Sequence, residues 1–178
     1  MTSFLPPSDR IWWKVPVGRQ EIVWITIAFI WCLIMFLMMP LWHVYGKQNL
    51  STEAYQTTPA KFGAKVDEMV AQYQVGDDAG IPIVAPPAGS DIYMLGRLWQ
   101  WYPVLQLEKG KTYRLHLSSM DWQHGFSLQP ININLQIVPG YEMVINVTPD
   151  KAGDYGVICN EYCGIGHHTM VGKIYVKE

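Results

Sequence analysis

Cys159, Cys163, His167, His168 and Met170 fall within twelve residues near the C-terminus. A thiolate is a charged, polarisable ligand and an imidazole a neutral nitrogen donor. A thioether is a weak soft donor that adds little to zinc but suits both oxidation states of copper. The grouping therefore reads as a soft-metal site, and copper fits it best. A mononuclear blue-copper site needs a single cysteine. The second thiolate, four residues after the first, lets two sulfurs bridge two copper ions, provided that another imidazole arrives from elsewhere, and His124 is the natural donor. Two bridged metals sharing one electron change charge and bond length less than one copper would, so electron transfer needs little rearrangement.

Two other chemistries use the same residues. A Cys159–Cys163 disulfide is allowed in an oxidising compartment, but it closes a very tight loop under strain and leaves the ordered His and Met unexplained. A tetrahedral zinc site from Cys159, Cys163, His124 and His167 has no use for Met170. Cys32 lies in an apolar stretch far from the others and reads as packing. The chain has no Cys-x-x-Cys-His motif for attaching a c-type haem, and its apolar stretch carries no pair of histidines.

The elements that must position these ligands are short strands. Tyr113, Leu115 and Leu117, then Met143, Ile145 and Val147, then Ile174 and Val176 alternate with polar residues and are separated by Gly and Pro. An antiparallel Greek-key barrel is expected over 91–178, with His124 at one strand end and the Cys159–Met170 loop supplying the rest. Residues 44–90 read as a linker holding one amphipathic helix, about 59–74. Thr58 caps it, Pro59 suits its first turn, and Phe62, Val66, Met69, Val70 and Tyr73 share one face. That face docks either on its own domain or on a partner. Gly76 to Gly80 and Pro82 to Gly89 read as turns.

From Ile22 to Met39 the chain runs eighteen residues without a charge, enough at about 1.5 Å per residue to cross a bilayer core. The reading is a transmembrane helix over 21–43 after a cytoplasmic segment, 1–20. The run exceeds a signal-peptide core and no small-x-small cleavage site follows, so it stays as an anchor. Trp12 and Trp13 before it, with Trp42 and Tyr45 after it, suit the two interfaces, and Arg10, Lys14 and Arg19 against Lys47 place the N-terminus in the cytoplasm. The remainder then faces the periplasm from a single-pass anchor in the plasma (inner) membrane. A chain of 178 residues with net charge −2 and scattered basic residues carries no nucleic-acid stripe, and its eight Trp suit membranes and interfaces instead.

Asp121-Trp122-Gln123-His124-Gly125-Phe126, Asn132-Ile133-Asn134-Leu135, Val138-Pro139-Gly140 and the Cys/His/Met block together resemble subunit II of the haem-copper oxidase family over most of residues 91–178. The resemblance implies a mainly β, cupredoxin-like fold and a dinuclear copper centre, CuA. In that centre Cys159 and Cys163 bridge, His124 and His167 are terminal ligands, Met170 binds one copper and the Glu161 backbone carbonyl the other. Family spacing selects His167 over His168. The single anchor is similar to the B-type oxidases and to the copper-carrying small subunit of certain nitric oxide reductases.

The implied activity is therefore electron acceptance from cytochrome c or a small copper protein and delivery to haem in a catalytic subunit I, with oxygen or nitric oxide as terminal acceptor. A membrane-tethered copper carrier is the reading from another class, although carriers use open, exchangeable sites. Trp99, Trp101 and Trp122 are the implied donor-docking aromatics, with core packing the alternative. The Glu161 carboxylate reaches magnesium or manganese at the subunit I boundary in many family members, but B-type members often lack the acid. Glu21 corresponds to an acid that admits protons in B-type oxidases, or is a helix-start carboxylate favoured by the dipole. Asp121, Asn132 and Asn134 are candidates to orient ligands, or to end strands and turns.

Overall fold

In lipid a backbone must satisfy its own hydrogen bonds, and a lone apolar segment does so only as a helix. The computed structural model describes residues 16–46 and 52–178, in two units, 1–48 and 49–178. In the first, α1 runs Arg19–Tyr45 with none of its residues buried, and it is long and apolar enough to cross a membrane. Glu21 closes its first turn by accepting the Gly18 N–H at 2.8 Å. Thr26 donates its hydroxyl to the Ile22 carbonyl at 2.7 Å, so the one hydroxyl of the apolar run is satisfied within the helix. The helix continues through Pro40 and brings Trp42 and Tyr45 into its last turns, beyond the expected end at residue 43. Arg10, Trp12, Trp13, Lys14 and Lys47 lie outside the described residues.

The second unit holds β1 (Glu53–Gln56), α2 (Pro59–Tyr73), β2 (Gln74–Asp78), β3 (Ile81–Val84), β4 (Asp91–Arg97), β5 (Gln100–Tyr102), β6 (Val104–Glu108), β7 (Tyr113–Ser119), β8 (His124–Gln129), β9 (Ile133–Ile137), β10 (Tyr141–Val147), β11 (Gly153–Cys159) and β12 (Val171–Lys177). They form two sheets, β1-β10-β7-β4-β5 and β2-β3-β6-β12-β11-β8-β9. Most neighbours are antiparallel, but β4–β7, β3–β6 and β6–β12 are parallel. The purely antiparallel expectation fails because the chain changes sheets between β5 and β6 and again between β6 and β7. Strands that re-enter a sheet after such a crossing can do so in the same direction. β1, β2 and β3 belong to these sheets, so much of the stretch expected as linker is part of the β framework.

Alternation along β7 shows how the layers stack. Leu115 and Leu117 are fully buried in the main core with Ile92, Met94, Phe126, Leu128 and Val157, while the intervening His116 is buried too. The second face is covered by α2, whose Phe62 and Val66 pack on Leu95, Tyr93 and Tyr102. Thr58 accepts the Lys61 N–H at 3.3 Å as the helix cap, with Pro59 in the first turn. The apolar face of α2 thus docks on its own domain.

Candidate metal centre

Strand ends and one loop build the site. His124 opens β8 and is fully buried, Cys159 closes β11, and Cys163 lies in the following loop. A single 3-10 turn, His167–Thr169, follows, and Met170 stands just before β12. β11 is hydrogen-bonded to β8 with Cys159 opposite Phe126, which sets the first thiol beside His124 although 35 residues separate them. The loop is drawn back onto the sheet where Cys159 N–H donates to the Met170 carbonyl at 3.1 Å and Asn160 N–H to the Gly125 carbonyl at 3.2 Å. Position 125 must be glycine for this approach, since a Cβ there would stand 2.7 Å from the Glu161 nitrogen.

The sulfurs of Cys159 and Cys163 are unbonded and 3.7 Å apart, well beyond the ~2.05 Å of a disulfide yet close enough for both to reach a metal at about 2.3 Å. Each has its own imidazole. His124 Nδ1 is 4.0 Å from Cys159 Sγ, and His167 Nδ1 is 3.8 Å from Cys163 Sγ. Met170 is fully buried with Sδ 3.8 Å from Cys163 Sγ, and the Glu161 carbonyl is 3.2 Å from Cys159 Sγ. His124, Cys159 and Cys163 bring their ligand atoms within 4.8 Å of one another, so together they can hold a metal ion. His168 is exposed. His167 lies outside that group of three and, like Met170, approaches it from the Cys163 side; thiols, imidazoles and a buried thioether so arranged fit a soft metal.

Asp121 orients the buried imidazole. Its Oδ1 lies 2.8 Å from His124 Nε2, and its carboxylate also accepts the Trp122 N–H at 2.6 Å and the Leu98 N–H at 2.7 Å. Burial works against its charge, but the bonds from His124, Trp122 and Leu98 hold its carboxyl below the ordinary aspartate range. An ionised carboxylate only accepts, so Nε2 carries a hydrogen and Nδ1 is the nitrogen left facing the sulfurs. At Cys163, burial and then the adjacent Cys159 push the thiol up to about 11. Asn134 acts at one remove, accepting from Asn160 Nδ2 at 3.0 Å beside the first cysteine. Asn132 takes a left-handed turn conformation, φ 61°.

The three tryptophans separate. Trp122 is 57% and Trp99 39% exposed, whereas Trp101 is 2% exposed. Trp101 packs edge-on against Phe126 at 5.5 Å, with His124 at 6.3 Å, so a docking role for it is corrected to core packing. The two-residue spacing misleads because Trp99 is not in a strand but in the turn between β4 and β5. Its Nε1 donates to the Cys163 carbonyl at 3.0 Å, a contact that no spacing rule signals. Glu161, Tyr162 and Ile165 on the ligand loop are exposed. Glu21 belongs to the other unit.

No protein-family model matches the chain. The chain is 30% identical over 133 residues to the cytochrome c oxidase subunit 2 of Thermus thermophilus, covering 73% of this chain and 98% of that protein. A chain of a heme-copper terminal oxidase dimer solved by cryo-electron microscopy superposes with TM-score 0.53 at 24% identity, over 89% of this chain and all of that one. A rusticyanin crystal structure superposes with TM-score 0.51 at 19% identity, over 72% of this chain and all of the other. These superpositions identify the second unit as cupredoxin-like.

Proposed function

The chain belongs to the cytochrome c oxidase subunit 2 family, and from that premise we propose that it accepts electrons at a dinuclear copper centre, CuA, and passes them to haem in subunit I of a terminal oxidase. The observation that carries this reading is the paired geometry: two sulfurs 3.7 Å apart, one imidazole nitrogen beside each. In this reading Cys159 and Cys163 would hold both coppers through their sulfurs, His124 and His167 would each hold one, and Met170 and the Glu161 carbonyl would be the remaining donors. When bound, the copper centre would supply single-electron transfer with little change in bond length.

The protein's own residues keep that geometry fixed. Asp121 fixes the tautomer and direction of His124. Trp101, Phe126 and Ile137 are buried in the same apolar core as Cys159 and Cys163, which keeps water from that core. Backbone bonds at Cys159 and Asn160 hold the loop against the sheet. Rigid donors leave oxidised and reduced geometries alike.

The donor is cytochrome c or a small copper protein, and it docks on the exposed Trp99 and Trp122. α1 anchors the chain with its N-terminus in the cytoplasm and the copper domain in the periplasm, which puts the centre where such donors are. The Glu161 carboxylate is offered to magnesium or manganese at the subunit I boundary. Glu21 assists proton uptake on the cytoplasmic side in addition to its capping bond.

Electron paramagnetic resonance of the oxidised, copper-loaded chain tests the central claim. The expected signal is that of one electron shared by two equivalent copper nuclei, and the copper resists a chelator as a carrier's would not. One copper per chain, or a single-nucleus pattern, overturns the reading. Oxygen consumption, with no comparable nitric oxide consumption, is expected of the assembled complex.

A further inference from the structure

The two halves of the metal centre come from places distant in sequence: His124 from the start of β8, and the Cys163–Met170 donors from the loop after β11. The turn between β4 and β5 touches both. On one side, Leu98 N–H donates to Asp121 Oδ2 at 2.7 Å, and the other oxygen of that carboxylate holds His124 Nε2 at 2.8 Å. On the other side, Trp99 Nε1 donates to the carbonyl of Cys163 at 3.0 Å. The indole also lies over the ligand loop. It is within 3.9 Å of where a Cβ on Gly164 would stand, and a Cβ on Gly166 would overlap the ring itself.

We propose that the Leu98–Trp99 turn is a brace that holds the His124 side and the Cys163 side of the centre in register. Trp99 is then a positioning residue for the bound copper, separately from any part it plays as a surface for the donor. Two glycines within three residues make the 164–166 loop costly to order, and Tyr162 and Ile165 on either side of Gly164 are exposed, so the loop's own packing does little to fix it. The indole supplies what the loop lacks: a donor for a ligand residue's carbonyl and a flat surface that only glycine at 166 can approach. A docking surface needs an exposed aromatic ring, for which phenylalanine would serve. An N–H aimed at the Cys163 carbonyl is required only if the loop itself is being held. The turn thereby links a partly exposed ring, 39% accessible, to both of the buried donors His124 and Cys163.

Two substitutions in the full-length chain test the brace from opposite sides. Trp99→Phe keeps an aromatic ring and removes the N–H. Gly166→Ala keeps the indole and displaces it, at a residue whose φ of −87° alanine accepts. Both are expected to release copper to an excess of a cuprous chelator about fivefold faster, the factor that loss of one ordinary hydrogen bond carries. Both are also expected to make the two copper nuclei less equivalent in the hyperfine pattern, a signature that general loosening of the fold would not give. Wild-type release and wild-type hyperfine in both variants overturn the brace. The inference rests on the dinuclear reading, and the wild-type chain separates the two failures. If it takes up only one copper, both ideas fall, whereas a normal wild-type centre with unaffected variants removes the brace alone.

Discussion

His124 turns Nε2 onto Asp121 Oδ1 at 2.8 Å and leaves Nδ1 4.0 Å from Cys159 Sγ. The ring is fully buried, so neither nitrogen can find water instead. One carboxylate three residues before the imidazole thus fixes which nitrogen can bind metal. A partner of this kind contributes tenfold to a hundredfold in metal affinity. Asp121→Ala is expected to weaken copper binding by about that factor in a competition titration, with the β-sheet circular dichroism retained. Unchanged affinity would show that core packing alone orients the ring.

The raised Cys163 thiol, near 11, makes the metal-free domain sensitive to alkali. The folded state holds this proton more tightly than the unfolded chain, whose thiols titrate near ~8.5. The stabilisation is therefore complete below that range and is lost as pH rises toward about 11. Copper must expel the same proton, so its apparent affinity should climb with pH over this interval, with proton release on binding. Chemical denaturation and metal titration across pH 7 to 11, as an approximate window around these values, would check both. A flat copper affinity would show that Cys163 is already a thiolate in the folded domain.

Beneath α2, buried His116 and Glu142 form a polar cluster with the more exposed Asp91 and Lys65. His116 Nδ1 is 2.6 Å from Glu142 Oε1 and its Nε2 3.1 Å from Asp91 Oδ1, and Lys65 of α2 reaches Glu142 at 3.1 Å. His116→Ala leaves the buried Glu142 with only the half-exposed Lys65. It is expected to cost about 1–3 kcal/mol, as leaving a buried hydrogen-bonding group short of a partner does. Lys65→Met should cost about 1 kcal/mol or less because its ammonium is well solvated. Urea midpoints give both values, and the copper spectrum should be unaltered in either variant.

Phe62 is fully buried where α2 meets β4. Phe62→Ala should destabilise the copper domain by about 3–5 kcal/mol, whereas a substitution at exposed Glu68 should be close to neutral. A negligible loss at Phe62 would mean that α2 detaches readily from the sheet, leaving its apolar face for a partner.

α1 presents apolar side chains on every side, so the chain should remain in the membrane pellet after alkaline carbonate extraction. Ile30→Lys, near the middle of the helix, should reduce insertion by about 2.5–3.5 kcal/mol and release a substantial share of the protein. Full retention of the variant would point to anchoring by other means.

Local chemistry made much of this protein legible from its residues alone. A charge-free run of eighteen residues has one solution in lipid, and α1 follows it. Thr58-Pro59 ahead of a helical apolar period gave α2 within one residue of its end. The Cys, His and Met spacing singled out candidate donors because each carries its chemistry wherever the chain takes it, and His124, Cys159 and Cys163 come together, with His167 and Met170 beside Cys163. What residue types could not convey is direction and long-range pairing. Trp99 and Trp101 look equivalent in sequence, yet a turn exposes one and the core takes the other. β1 to β3 read as linker because short strands with mixed polarity have no periodic signal until partners exist. Only the register of β11 against β8 could set Cys159 beside His124. Only the β4–β5 turn, folding back across more than sixty residues of chain, could bring an indole N–H to the Cys163 carbonyl. Distances of that kind are decided by packing between elements, which no local pattern encodes.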